Sequence, residues 1–169
     1  MDPTTAILLR SLEDTRRAAE TLARLMPEDV LIALSGDLGA GKTTFVRYLA
    51  GVIGIDPTDI TSPTFGLVHE HVSGAMTCPS RLVHIDAYRL SGPDDLAAIG
   101  WEEILTDGGW IVVEWPERVA AALPRGRLDL SLIVTGDVTR RLEIRTPGDW
   151  SIPPGAIVDW NLDDAAPHS

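Results

Sequence analysis

The sequence predicts an α/β fold in three layers, with helices on both faces of a mostly parallel central sheet that carries an antiparallel edge. Three observations carry that prediction. Val30 to Leu34 (VLIAL) and Trp110 to Val113 (WIVV) are continuous apolar runs with a β-branched share, as strands covered on both faces require. Stretches with helical apolar spacing alternate with such runs along the chain. A glycine-rich loop, GDLGAGKT at Gly36 to Thr43, joins the first run to the helix after it.

Each element has its own local reason. Thr5 to Leu9 (TAILL) reads as a short first strand. Ser11-Leu12-Glu13-Asp14 has the form of a capping box, and Ala18, Ala19, Leu22, Leu25 and Met26 then share one helical face until Pro27 ends the helix. After the glycine loop, Thr44 to Ile53 brings Phe45, Val46, Leu49, Val52 and Ile53 to one face, and Gly54 supplies the stop. SPTFGLVHEHV (Ser62 to Val72) reads as a strand entered through a proline turn, and Val72 to Arg81 as a loop or hairpin connection. Leu82 to Ile85 and Ile111 to Val113 are two more buried strands, separated by a helical stretch from Pro93 to Leu105 with one glycine interruption. Leu128 to Val134 and Arg140 to Ile144 pair antiparallel around Gly136-Asp137. Residues 1–147 are thus expected to be one domain. Residues 148–169 hold four aspartates, three prolines and no Lys or Arg, and are expected to form a loosely ordered acidic tail in which Trp150 and Trp160 offer some packing surface.

Composition narrows the class. At 169 residues, 44% hydrophobic and 23% charged, the chain can bury a single core without disulfides. The lone Cys78 has no internal partner and suits a reducing cytosol, so a cytoplasmic protein is expected. No apolar run approaches the ~20 residues of a membrane helix, and MDPTTAILLRSLED lacks the order of a signal peptide. A net charge of -11 repels polyanions, so strong nucleic-acid binding by this chain alone is not expected.

One stretch carries chemistry on its face. Gly36, Gly41, Lys42 and Thr43 satisfy G-x-x-x-x-G-K-[ST] with a buried strand before and an amphipathic helix after, the context a phosphate-binding P-loop needs. Backbone N–H groups of this loop and the positive end of the helix are suited to the α- and β-phosphates. Lys42 is the only lysine beside thirteen arginines. A compact ammonium fits such a cradle where a planar guanidinium does not. Thr43 offers a hydroxyl to Mg²⁺, which also calls for an acid at a neighbouring strand end. Glu114, after WIVV, and Asp86, after Leu82-Val83-His84-Ile85, both qualify, although a strand-end acid also serves as a helix cap. Ser62-Pro63-Thr64-Phe65 stands where a γ-phosphate-sensing switch would lie, or is a plain Ser-Pro turn. His69 and His84 lack a second ligand pair at zinc spacing, so no zinc site is expected. Trp115-Pro116 is expected to fix the end of the WIVVE strand by packing rather than to bind a base.

Taken together, GDLGAGKTTF (Gly36 to Phe45), SPTF (Ser62 to Phe65), HIDAYRL (His84 to Leu90) and VEWPE (Val113 to Glu117) resemble the TsaE family over about Leu9 to Ile144. The resemblance implies a P-loop NTPase-like fold and an ATPase required for threonylcarbamoylation of the adenosine next to the anticodon in tRNAs. It implies ATP and Mg²⁺ as cofactors, with Thr43 and Glu114 as metal ligands. Asp37, Leu38, Gly39, Ala40, Gly41, Lys42, Thr43 and Thr44 would hold the triphosphate. Asp86 would act near the γ-phosphate, Thr64 would belong to a switch-like loop, and Arg140 would approach the nucleotide. TsaB and TsaD are the implied partners, with tRNA reached only through them. Turnover by the isolated chain is expected to be weak. Two other readings use the same loop: a small-molecule kinase, disfavoured because Arg125 and Arg127 sit in a proline-glycine turn rather than a lid, and a nucleotide-sensing scaffold with negligible hydrolysis.

Overall fold

Apolar continuity decides which strands occupy the middle of the sheet. The computed structural model describes residues 4–62, 66–77 and 79–146, so Thr64, Cys78 and the acidic tail lie outside the described residues, as does the 147/148 boundary. The strands β1 (Thr4–Leu9), β2 (Val30–Gly36), β3 (Val68–Val72), β4 (Arg81–Asp86), β5 (Trp110–Glu114), β6 (Leu128–Val134) and β7 (Arg140–Arg145) form one sheet in the order β1-β7-β6-β2-β5-β4-β3. The four central strands, β6, β2, β5 and β4, are parallel. Every residue of β5 is buried, as the unbroken run WIVVE requires of a strand covered on both faces.

The antiparallel component is larger than one edge. β6 and β7 pair as expected, but β7 is not outermost, because β1 pairs antiparallel along its free side. At the opposite edge β3 and β4 form a hairpin, which makes Val72 to Arg81 the hairpin connection.

Two helices, α1 (Leu12–Leu25) and α2 (Lys42–Val52), cover one face, and α3 (Pro93–Ala98) and α4 (Trp101–Asp107) cover the other. The first core joins Ala19, Leu22, Phe45 and Leu49 to Ile32, Val112 and Leu130 of the sheet; the second joins Leu96, Trp101 and Ile104 to Ile85, Ile111 and Val113. α1 begins as the capping motif predicts: the Ser11 side chain accepts from the Asp14 N–H at 3.1 Å, while the Asp14 carboxylate accepts from the Arg10 N–H at 2.8 Å. The helical stretch from Pro93 is two short helices parted at the expected glycine interruption, where Gly100 takes a left-handed conformation.

Strand direction sets the position of the site. Gly36, Asp86 and Glu114 end three adjacent parallel strands, and Asp86 and Glu114 are register partners. The sequence-predicted acids therefore meet at one sheet edge, beside the loop that leaves β2.

Candidate functional site

The loop between β2 and α2 is shaped by its glycines. Gly36 adopts φ +152°, and a Cβ there would lie 2.7 Å from the Leu132 carbonyl oxygen, so only glycine lets the chain leave β2 beside β6. Gly41 caps α2 in the left-handed region with φ 103°. No side chain caps that end and no acidic residue occupies the first turn, which leaves the helix's positive N-terminus facing the cavity without a protein carboxylate of its own.

Lys42, 6% exposed, folds back over the loop. Its Nζ donates to the carbonyl oxygens of Gly36 at 2.7 Å and Asp37 at 3.1 Å, and it lies 4.2 Å from the centroid of the Trp115 ring. Burial pulls the ammonium below the ordinary lysine value, opposed by the carboxylates of Glu114, Asp86, Glu117 and Asp37. Two of its three donors serve the loop's own carbonyls and the third is left for a ligand.

Beneath it, Thr43 Oγ donates to Glu114 Oε1 at 3.2 Å. The two residues stand 71 positions apart in sequence, joined by the parallel pairing of β2 with β5. Asp86, 8% exposed, accepts from the Tyr88 N–H at 3.0 Å, capping the short turn Ala87–Arg89. It thus acts as a cap while also lining the cavity.

That cavity, about 540 Å³, is walled by the loop, the first turn of α2, Ser62, Asp86, Tyr88 and Glu114, with Trp115 at its side. A second cavity of about 560 Å³ adjoins it across Gly39, Gly41 and Thr44, and is bounded by Ser11, Thr15, Val138 and Arg140. Arg140 donates to the carbonyl oxygens of Ala40 at 3.1 Å and Gly39 at 3.4 Å, holding the loop from beneath, and borders the second cavity rather than the first. Leu38 is 91% exposed on the loop's outer rim, Ala40 is buried, and the Ala40 N–H closes a turn onto the Asp37 carbonyl. The structure therefore brings Asp37 to Thr44, Asp86, Glu114 and Arg140 together around one loop.

Three residues at this site were not assigned to it from sequence. Trp115 does fix the end of β5 by packing, its ring 5.0 Å from that of Tyr88, yet both rings also line the cavity. His84 Nε2 lies 2.7 Å from Glu114 Oε1, fully buried. The signal for His84 was present: two residues before Asp86 on a strand, it shares that residue's face. Arg125 and Arg127 are far from any lid role. Arg127 is tied to Asp129 and to the carbonyls of Leu123 and Pro124, and lines neither of these two cavities. Among the described residues no cluster of three metal-binding side chains occurs, and no helix is long and apolar enough to cross a membrane.

The donor set fits magnesium. A threonine hydroxyl and two strand-end carboxylates are hard oxygen ligands, next to a helix N-terminus suited to phosphate.

Comparison with known proteins bears on the family of the chain. The TsaE family profile, described as threonylcarbamoyl adenosine biosynthesis protein TsaE, matches residues 9–142. The chain is 41% identical over 135 residues to the tRNA threonylcarbamoyladenosine biosynthesis protein TsaE of Treponema pallidum (strain Nichols), covering 80% of this chain and 96% of that protein. It is 36% identical over 138 residues to the Bacillus subtilis (strain 168) protein of the same name, covering 81% and 82%. The crystal structure of Bacillus subtilis YdiB superposes with a TM-score of 0.70 at 28% identity, covering 88% of this chain and 89% of that one. With the family profile matching residues 9–142 and these two relatives aligned over 96% and 82% of their lengths, the chain belongs to the TsaE family.

Proposed function

We propose that the protein is a magnesium-dependent ATPase that serves the biosynthesis of threonylcarbamoyladenosine in tRNA, acting in a complex with TsaB and TsaD. The observation that carries the nucleotide reading is the Thr43–Glu114 hydrogen bond, next in sequence to Lys42 and at the shared end of parallel strands. Lys42 and the N–H groups of the loop and of α2's first turn bind the phosphates. Thr43 and Glu114 hold magnesium, which when bound offsets the negative charge that gathers on the phosphoryl oxygens. Asp86 lines the same cavity, and its role in this reading is to orient the attacking water or the γ-phosphate. The base and ribose take the second cavity, since Gly39, Gly41 and Thr44 border both and a nucleotide gripped at the loop extends from one into the other.

The net charge of -11 supports reaching tRNA through partner proteins rather than directly. Phosphate release from ATP by the chain alone, and with TsaB and TsaD added, tests this reading for wild type, Lys42→Ala and Glu114→Ala. Weak turnover alone, stimulation in the complex and loss in both variants are expected. No turnover in the complex, with ATP still bound, would leave a nucleotide-gated scaffold in place of an ATPase; γ-phosphate passing to a small acceptor would make it a kinase.

A further inference from the structure

We infer that His84 is a positioning residue that holds Glu114 in the orientation a magnesium ligand needs; the inference rests on the magnesium-nucleotide reading above. His84 is 0% exposed and Glu114 3% exposed. Two donors converge on one carboxylate oxygen: His84 Nε2 at 2.7 Å and Thr43 Oγ at 3.2 Å both engage Oε1. The protein thereby fixes one end of the carboxylate, and the other oxygen, Oε2, is the one assigned to the metal or to a water bound to it. A glutamate side chain has three rotatable bonds, and one hydroxyl on a helix N-terminus leaves it free to swing about that contact. A second donor on the neighbouring strand removes that freedom before any ligand arrives.

The ring is poorly explained as core filler. His84 Nδ1 is buried without a hydrogen-bond partner. An apolar side chain of similar size would fill this buried position opposite Val112 without stranding a polar atom, so the Nε2 hydrogen bond is what histidine supplies here. Its strand placement is equally specific: on β4 it stands opposite Val112 of β5, one pleat before the Asp86–Glu114 pair, on the face that carries the loop and α2.

A structural role and a positioning role differ in what magnesium contributes to binding. The affinity of the full chain for ADP is measured by calorimetry with magnesium chloride and with EDTA, for wild type, His84→Leu, His84→Gln and His84→Asn. Wild type should bind ADP more tightly with magnesium. His84→Leu should lose that enhancement by about tenfold or more while its affinity in EDTA stays at the wild-type value, because the loop that grips the phosphates is untouched. His84→Gln, whose amide N–H reaches toward the Nε2 position, should recover most of it; His84→Asn, one carbon shorter, should not. Should His84→Leu fail to fold, the Gln and Asn variants carry the same comparison. A wild-type enhancement retained in His84→Leu or His84→Asn overturns the inference alone, as does an equal loss in both buffers that Gln does not restore. A wild-type affinity indifferent to magnesium overturns the magnesium reading and this inference with it.

Discussion

Lys42 answers at the level of one residue why a chain with thirteen arginines keeps a lysine. Its ammonium is held by two carbonyls within 3.1 Å and covered by Trp115 at 4.2 Å, a space that fits a point charge and excludes a planar guanidinium. Lys42→Arg should therefore lose nucleotide binding as completely as Lys42→Ala, by more than about tenfold in Kd, or about 1.4 kcal/mol. Equilibrium titration with ATP checks this; circular dichroism should show both variants folded. His71 gives a residue-scale prediction of another kind. Its buried Nε2 has no hydrogen-bond partner, and burial, then the neighbouring His69 and His84, push it below its ordinary value near 6.5 against the pull of Asp59. The unfolded chain then binds more protons than the folded one, so stability falls as pH drops below about 6.5. Melting temperatures of His71→Gln, measured between about pH 7 and about pH 5, should fall less steeply than those of wild type. Equal slopes would assign the acid sensitivity elsewhere.

At the scale of elements, the strand–loop–helix unit is built so that backbone, not side chains, faces the phosphates. Gly36 is where that unit meets the rest of the sheet, since a Cβ would press on the Leu132 carbonyl at 2.7 Å and the Ala40 methyl at 3.2 Å. Gly36→Ala should cost about 1–3 kcal/mol of stability by forcing β2 and β6 apart. It should also weaken ATP binding, because the loop is hinged at that contact; denaturant unfolding and titration read the two effects separately. A variant with wild-type stability would show that the loop start yields without cost. The Arg140 side chain, reaching from β7 to two loop carbonyls, ties the same unit to the β6–β7 pair and links the two cavities through the loop.

Across the whole molecule, charge and topology divide the work. Five of the seven strands run one way, and their C-terminal ends collect the loop, Asp86 and Glu114 at one edge. The net charge of -11 gives no reason for a polyanion to settle on the surface. Fluorescence anisotropy with a labelled tRNA at physiological salt should show no binding by the isolated chain, and binding only once TsaB and TsaD are present. Direct, salt-sensitive binding by the chain alone would overturn that division.

Much of this was legible in residue order. The P-loop needs only a local pattern between a buried strand and an amphipathic helix, so Gly36 to Thr43 could be read without tertiary knowledge, as could the Ser11 cap and the paired strands β6 and β7. Local form did not fix which acid sits beside Thr43, because WIVVE and LVHID end alike, and the family resemblance alone paired Thr43 with Glu114. Pairing across 71 positions chose Glu114 for the hydrogen bond to Thr43. The same non-local pairing brought His84 to that carboxylate, placed β1 outside β7, and turned Trp115 and Tyr88 into cavity walls. Sequence by itself determined the alternation of strands and helices and the phosphate loop, since these depend on contacts a few residues apart. Tertiary structure alone decided which carboxylate oxygen is held, by which donors and beside which cavity, because strand order and register set those distances and no local pattern encodes them.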